Sequence, residues 1–159
     1  MKKLELICSI EEFSSISELP ESEAVLIKEA NDALQSAYAP YSRFRVGCAL
    51  MLEDGTIIRG NNQENAAYPS GLCAERVAFF YAGANHAGKK IVAAAITTSN
   101  KLNNPVAPCG SCRQVMAEYE LKQGSPIKII LSHGGENIYI IKSVAELLPM
   151  QFVLHPDFK

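Results

Sequence analysis

The chain has 159 residues, of which 48% are hydrophobic and 20% charged, with a formal net charge of −2 and a pI of about 5.9. That length suits one globular domain with room for a full core. The slightly acidic balance argues against general attraction to phosphate backbones, for which a basic stripe is expected, and Lys89-Lys90 reads as a helix-to-strand turn rather than part of one. No apolar run approaches a membrane span. The start Met1-Lys2-Lys3-Leu4-Glu5 has no cleavage-like site. Five cysteines is an odd count, so the expectation is a cytoplasmic, reducing setting in which thiols serve a metal rather than disulfides.

In residues 3–10, Leu4, Leu6, Cys8 and Ile10 alternate with charged and small neighbours. That period of two predicts a strand, a candidate for a sheet edge. Residues 11–21 read as a Ser- and Glu-rich connection. The division that follows is an N-terminal extension over 1–20 and a main domain over 21–159. A helix is expected from Ser22 as N-cap, with Glu23 in its first turn, to about Tyr38. Its apolar stripe is Leu26, Ala30, Ala33 and Ala37, with Ile27 and Leu34 beside it. Pro40 ends it.

Val46–Leu52 is a nearly continuous apolar run, as expected of a buried strand, with Cys48 a small core residue. Glu53-Asp54-Gly55 signals a tight turn into a hairpin partner over 56–60. Residues 61–72 read as loop and Cys73–Ala84 as helix. Ile91–Thr98 is a strand, and a polar loop then leads to a helix at Cys109. Strands follow at 127–132 and 137–142 around Gly134-Gly135. A short helix starts at Ser143, with Glu146 as its capping-box partner, and ends near Pro149. The strand–helix–strand unit around Cys109 implies a right-handed crossover. The fold class is therefore α/β: a three-layer α/β/α sandwich with a mixed sheet of about five strands.

The chemistry concentrates in two stretches, Cys73-Ala74-Glu75-Arg76 and Pro108-Cys109-Gly110-Ser111-Cys112-Arg113-Gln114. Cys109 and Cys112 are three apart, which at a helix start puts both sulfurs on one face. Two thiolates so placed suit Zn²⁺ at roughly 2.3 Å each, and Cys73 can add a third. No fourth ligand is evident near either stretch, and an open fourth position separates catalytic from structural zinc. Helix N-termini favour thiolate, the form that binds metal. Glu75 lies two residues from Cys73 and is expected to carry protons rather than bind metal.

Plainer readings exist. A lone Cys-x-x-Cys also fits a redox pair or half a zinc ribbon. A ribbon needs a second Cys-x-x-Cys, and a redox pair explains neither Cys73 nor Glu75. A zinc-stabilised interaction module, with a closed site, is the alternative from a different class.

The pattern [H/C]-x-E…P-C-x-x-C is the signature of zinc deaminases that act on cytosine and adenine rings. Two further motifs accompany it: Tyr41-Ser42-Arg43-Phe44-Arg45-Val46-Gly47 and Asn62-Gln63-Glu64-Asn65-Ala66-Ala67-Tyr68-Pro69. With them, residues 20–155 resemble cytidine deaminase of the small, homotetrameric, three-cysteine type. The resemblance implies one Zn²⁺ per subunit on Cys73, Cys109 and Cys112, with Glu75 moving protons. Phe44 would pack beside the pyrimidine. Asn62 and Glu64 would hold the ribose, and the backbone near Ala66 the base carbonyl. Tyr68 and Phe152 would close the site, Phe152 from a neighbouring subunit. Arg76 would temper the sulfur charge.

The implied reaction is hydrolytic deamination of free cytidine or 2′-deoxycytidine, a pyrimidine salvage step, with no nucleic-acid or membrane partner. Blasticidin-type deaminase shares the cysteine motifs, but the Phe44-x-Val46-Gly47 and Asn62-x-Glu64-Asn65 signatures separate it. The chain departs from the family at Arg45, where proline is usual, at Asn61, often cysteine, and at Cys48, commonly alanine.

Overall fold

Val46–Leu52, the most continuous apolar run, forms an interior strand, β2, paired on both sides. The computed structural model describes residues 1–99 and 103–154. In chain order the other elements are β1 (Glu11–Ser15), α1 (Glu21–Gln35), β3 (Ile57–Asn61), α2 (Ala74–Asn85), β4 (Ile91–Thr98), α3 (Gly110–Gln123), β5 (Lys128–His133), β6 (Glu136–Ile141) and α4 (Val144–Leu147). The sheet order is β1-β6-β5-β4-β2-β3. β4 and β5 run parallel, with Ala95 opposite Ile130, and α3 lies between them in the chain. Every other pairing is antiparallel. The sheet is thus mixed, with helices on both faces, as expected, but it has six strands rather than five.

Strand alternation sorts the core into two layers. Ala49, Ala95 and Ile130 face the α1 stripe of Leu26, Ile27 and Ala30. Leu50, Ile96 and Leu131 face the opposite way, against Phe79 of α2, Met116 of α3 and Val144 of α4. Small residues let the layers close. A Cβ on Gly47 would lie 2.0 Å from the Ala30 carbonyl oxygen, and one on Gly60 would lie 2.6 Å from that of Ala74. Both helices therefore rest directly on backbone. Cys48 is fully buried in the second layer, as expected.

The sixth strand corrects the reading of the N-terminus. Residues 3–10 form no strand, and Leu4 is 79% exposed. The strand lies instead at Glu11–Ser15, within the presumed connection, pairing Glu11 with Ile140 and Phe13 with Ile138. The alternation in 3–10 has no sheet face to serve. Phe13, Ile16 and Leu19 do reach the α1-side core, so packing outweighs the polar composition of 11–21.

Two helix ends also differ. α1 starts at Glu21, one residue before the expected Ser22 cap, with Pro20 at the N-cap. It stops at Gln35 rather than Tyr38, because Tyr38 bridges to Gln63 instead. At α4 the Ser143 hydroxyl does accept from the Ala145 N–H at 3.1 Å. The carboxylate at that helix end, however, belongs to Glu120 of α3, which accepts from the Val144 N–H at 2.9 Å and the Ser143 hydroxyl at 2.6 Å. Glu146 turns away and accepts from the Ser9 N–H at 2.8 Å. Among the described residues no helix is long and apolar enough to cross a membrane.

Candidate metal centre and active site

Cys73 and Cys109 are the N-cap residues of α2 and α3, both with extended backbone. Cys112 lies one turn into α3. The sheet brings the two helix starts together, and the three Sγ atoms fall within 4.8 Å of one another. Cys73 and Cys109 are 3.9 Å apart, and Cys109 and Cys112 are 3.4 Å apart. A tetrahedral ion with sulfur at about 2.3 Å calls for sulfur–sulfur separations of about 3.8 Å. The donor set and its spacing therefore fit Zn²⁺. Among the described residues no fourth Cys, His or carboxylate joins the group, which fits a site with one position left for solvent or substrate.

The electrostatics favour negative charge on the Cys73 sulfur, while the hydrogen bond to Cys73, followed by burial, pushes the Cys112 thiol up. The Cys73 thiol is pushed down to about 5, first by the hydrogen bond from the Cys112 thiol and then by Arg76, whose Nη2 lies 3.8 Å from its sulfur. The Arg76 Nε is buried without a protein partner. Glu75, in the first turn of α2, is only 4% exposed. Burial, and secondarily the Cys73 charge, push its carboxyl above the ordinary range. A buried carboxyl with a raised pKa beside a metal site suits a group that both takes and gives protons.

A cavity of about 720 Å³ opens onto this cluster. Cys73, Cys109 and Glu75 line one side, and Phe44 and Val46 line the segment that leads into β2. Ile96 and Thr98, at the end of β4, also line it and are buried. Tyr41 and Tyr68 stand at the exposed end, edge to face with ring centres 6.3 Å apart.

Asn62 and Glu64 also border the cavity, and both are already engaged. Asn62, 9% exposed, accepts from the Val46 N–H at 2.8 Å and donates to the Phe44 carbonyl at 2.9 Å. Glu64 accepts from the Tyr41 N–H at 2.9 Å, the Ser42 N–H at 3.2 Å and the Ser42 hydroxyl. The Ser42 hydroxyl, followed by those N–H groups, holds the Glu64 carboxyl below its ordinary value. Arg43, between these anchors, adopts φ of 57°, a left-handed conformation uncommon outside glycine.

Of the residues expected from the sequence, Phe44, Asn62, Glu64, Tyr68, Cys73, Glu75, Arg76 and Cys109 line one cavity, with Cys112 buried at the cluster. Ala66 is exposed and not on the wall, and Phe152 is 71% exposed. The Phe152 carbonyl accepts from Gln114 at 3.0 Å. Sequence reasoning assigned no role to Ser42 or Thr98. Ser42 sat in a quoted motif, but only the folded backbone shows what its hydroxyl meets. At Arg45, where a proline would have no N–H, the backbone donates to the Ser99 hydroxyl at 3.3 Å.

Known proteins agree with this geometry. The family model for the cytidine and deoxycytidylate deaminase zinc-binding region matches residues 20–124. A cytidine deaminase from Halalkalibacterium halodurans is 47% identical over 128 residues, covering 80% of this chain and 92% of its own length. One from Mycobacterium tuberculosis is 33% identical over 130 residues, 79% of this chain and 85% of the relative. The crystal structure of cytidine deaminase from Burkholderia pseudomallei superposes with a TM-score of 0.71 at 40% identity, covering 80% of this chain and 97% of that one. With a matching family model over residues 20–124, a matching fold and these identities, the chain belongs to the cytidine and deoxycytidylate deaminase zinc-binding family.

Proposed function

We propose that this chain is a zinc-dependent hydrolase that converts free cytidine and 2′-deoxycytidine, with water, to the corresponding uridine nucleoside and ammonia. The observation that carries the reading is the buried Glu75 carboxyl beside a three-thiol cluster of which Cys73 and Cys109 line a cavity of about 720 Å³. Held by Cys73, Cys109 and Cys112, Zn²⁺ supplies Lewis acidity that lowers the pKa of water toward about 7.

The chain's own residues do the rest. Glu75 takes the proton that water releases and delivers it to ring N3, which makes C4 electrophilic. The water oxygen bonds to C4, and Glu75 then carries the remaining hydroxyl proton to the amine, which leaves as ammonia as the C4–N bond breaks and the C4 carbonyl forms. One carboxyl serves as base and then acid because it stands buried beside the thiol cluster on the wall of the cavity, within reach of both water and the ring. Arg76 disperses the charge of the thiolates. Phe44 packs against the flat ring. Glu64 and Asn62 stand at the sugar end, and Tyr68 shields the open side.

The backbone near Ala66 contacts the base carbonyl, and the ring of Phe152 closes the site of a neighbouring copy. The exposure of Phe80, Tyr81, Phe152 and Leu154 supports such an assembly, which we take to be a homotetramer in the cytoplasm. Residues 1–20 form an extension to the catalytic unit at 21–159. A pyrimidine salvage role follows from the free nucleoside as substrate, and the absence of a basic stripe argues against polynucleotides.

The test is metal analysis together with an ultraviolet assay on cytidine. We expect one zinc per chain and turnover that is lost on chelation and restored by Zn²⁺. Zinc-loaded protein inert toward cytidine and deoxycytidine overturns the reading. Sedimentation reports the assembly, and a monomer with full activity rules out completion by a neighbour.

A further inference from the structure

Ser42 joins two parts of the cavity wall through one oxygen. Its hydroxyl accepts from the Phe44 N–H at 3.0 Å and donates to Glu64 Oε1. The other carboxylate oxygen, Oε2, takes the backbone N–H groups of Tyr41 and Ser42. A carboxylate offers about four acceptor sites, two on each oxygen. Among the described residues three are occupied, which leaves one, on Oε1. A lone exposed glutamate samples many rotamers, but three donors hold this one in a single orientation. Two further anchors fix the frame: Asn62 pins the Phe44 carbonyl and the Val46 N–H, and Arg43 holds its left-handed turn between Ser42 and Phe44.

We infer that Ser42 is a positioning residue for sugar recognition: its hydroxyl orients Glu64 so that the remaining acceptor site on Oε1 meets the nucleoside 3′-hydroxyl. The same oxygen ties that carboxylate to the backbone of Phe44, so the sugar-holding and base-packing groups keep a constant separation. This rests on the nucleoside reading above and adds the group that sets its sugar selectivity. Ser42 is itself on the cavity wall and solvent-exposed, so replacing it leaves the core packing intact.

The experiment compares kcat/KM for cytidine and 3′-deoxycytidine in the wild type, Ser42→Ala and Ser42→Thr, each loaded with zinc. A site built to bond a hydroxyl discriminates strongly against the analogue that lacks it. The wild type should therefore favour cytidine. Ser42→Ala should reduce that preference by about tenfold, the size of one charge-assisted hydrogen bond, mainly through a raised KM for cytidine. Ser42→Thr keeps the hydroxyl and should keep the preference.

A loss in Ser42→Ala that is equal for both substrates would assign the residue a general structural role and overturn the inference. So would an undiminished preference, or a Thr variant that loses it as fully as Ala. Wild-type turnover of cytidine with no preference for the 3′-hydroxyl defeats this inference alone, whereas no cytidine turnover at all defeats the proposed function.

Discussion

Glu75 is deeply buried, and among the described residues no side chain forms an ion pair with it; the nearby guanidinium of Arg76 is directed to the Cys73 sulfur. Burying a carboxyl costs stability, and it is tolerated where chemistry needs it. Glu75→Ala should therefore keep its zinc and its fold, with an unfolding temperature equal to or above that of the wild type, yet lose turnover by about 10²–10⁴-fold. Metal content, thermal unfolding and the cytidine assay on one preparation check this, and near-normal turnover removes Glu75 from the mechanism. Glu64 behaves oppositely. Its folded pKa is depressed, so it adds stability above the unfolded carboxyl range near about 4.3 and loses it as pH falls through the lower folded value. Solvent screens that contribution, so the clean readout is an NMR titration of its side-chain carboxyl. The midpoint should lie below about 4.3 and move up toward it in Ser42→Ala. The three cysteines and Glu75 were legible as one group because they fall in a recognisable motif, and the fold does bring the thiols together. The engagement of Asn62 and Glu64 was not, because their partners lie up to 23 residues away in the chain.

At the scale of elements, the metal centre depends on how closely α2 and α3 approach the sheet and each other. Phe79 and Tyr119 meet edge to face at 5.3 Å between these helices, and Gly60 of β3 admits the first turn of α2. A methyl at Gly60 would press on the Ala74 carbonyl at 2.6 Å and the Ala78 N–H nitrogen at 2.7 Å. Both contacts are backbone, so the helix must move. Gly60→Ala should destabilise the protein by about 1–3 kcal/mol, and zinc should be lost at lower chelator concentration, because α2 carries both Cys73 and Glu75. Denaturant unfolding and a chelator titration measure the two effects, and unchanged zinc retention would show that the helix start can shift without opening the thiol cluster. Most elements were readable because apolar runs and helix stripes repeat locally. The carboxylate at the start of α4 was not: it is supplied by α3, across a contact that no local pattern encodes, although the Ser143 cap itself was.

For the whole molecule, the N-terminal segment extends a sheet whose family match begins at residue 20. β1 covers the edge of β6, and Phe13, Ile16 and Leu19 add to the α1-side core. Removing residues 1–19 would leave β6 as an open edge and thin that core. The truncated protein should unfold several degrees lower, by about 4–8 °C for each kcal/mol lost in a domain of 60–100 residues and by less in a longer one. It should also aggregate more readily while keeping its zinc and cytidine turnover. Differential scanning calorimetry, light scattering and the activity assay decide it, and loss of turnover would place the extension within the catalytic unit.

By itself the sequence determined the layer architecture and singled out the three cysteines that cluster and the acid buried beside them. Each rests on short-range periodicity or spacing, which hydrophobic burial and metal chemistry restrict to few solutions. Tertiary structure alone decided which N-terminal residues become the sixth strand, because an alternating pattern becomes a strand only where an unpaired edge and a core face await it. It alone also decided the three-donor grip on Glu64 and the two-point clamp of Asn62. Those bonds join side chains to groups 16 to 23 residues away in the chain, and only the packed sheet brings them within hydrogen-bond reach.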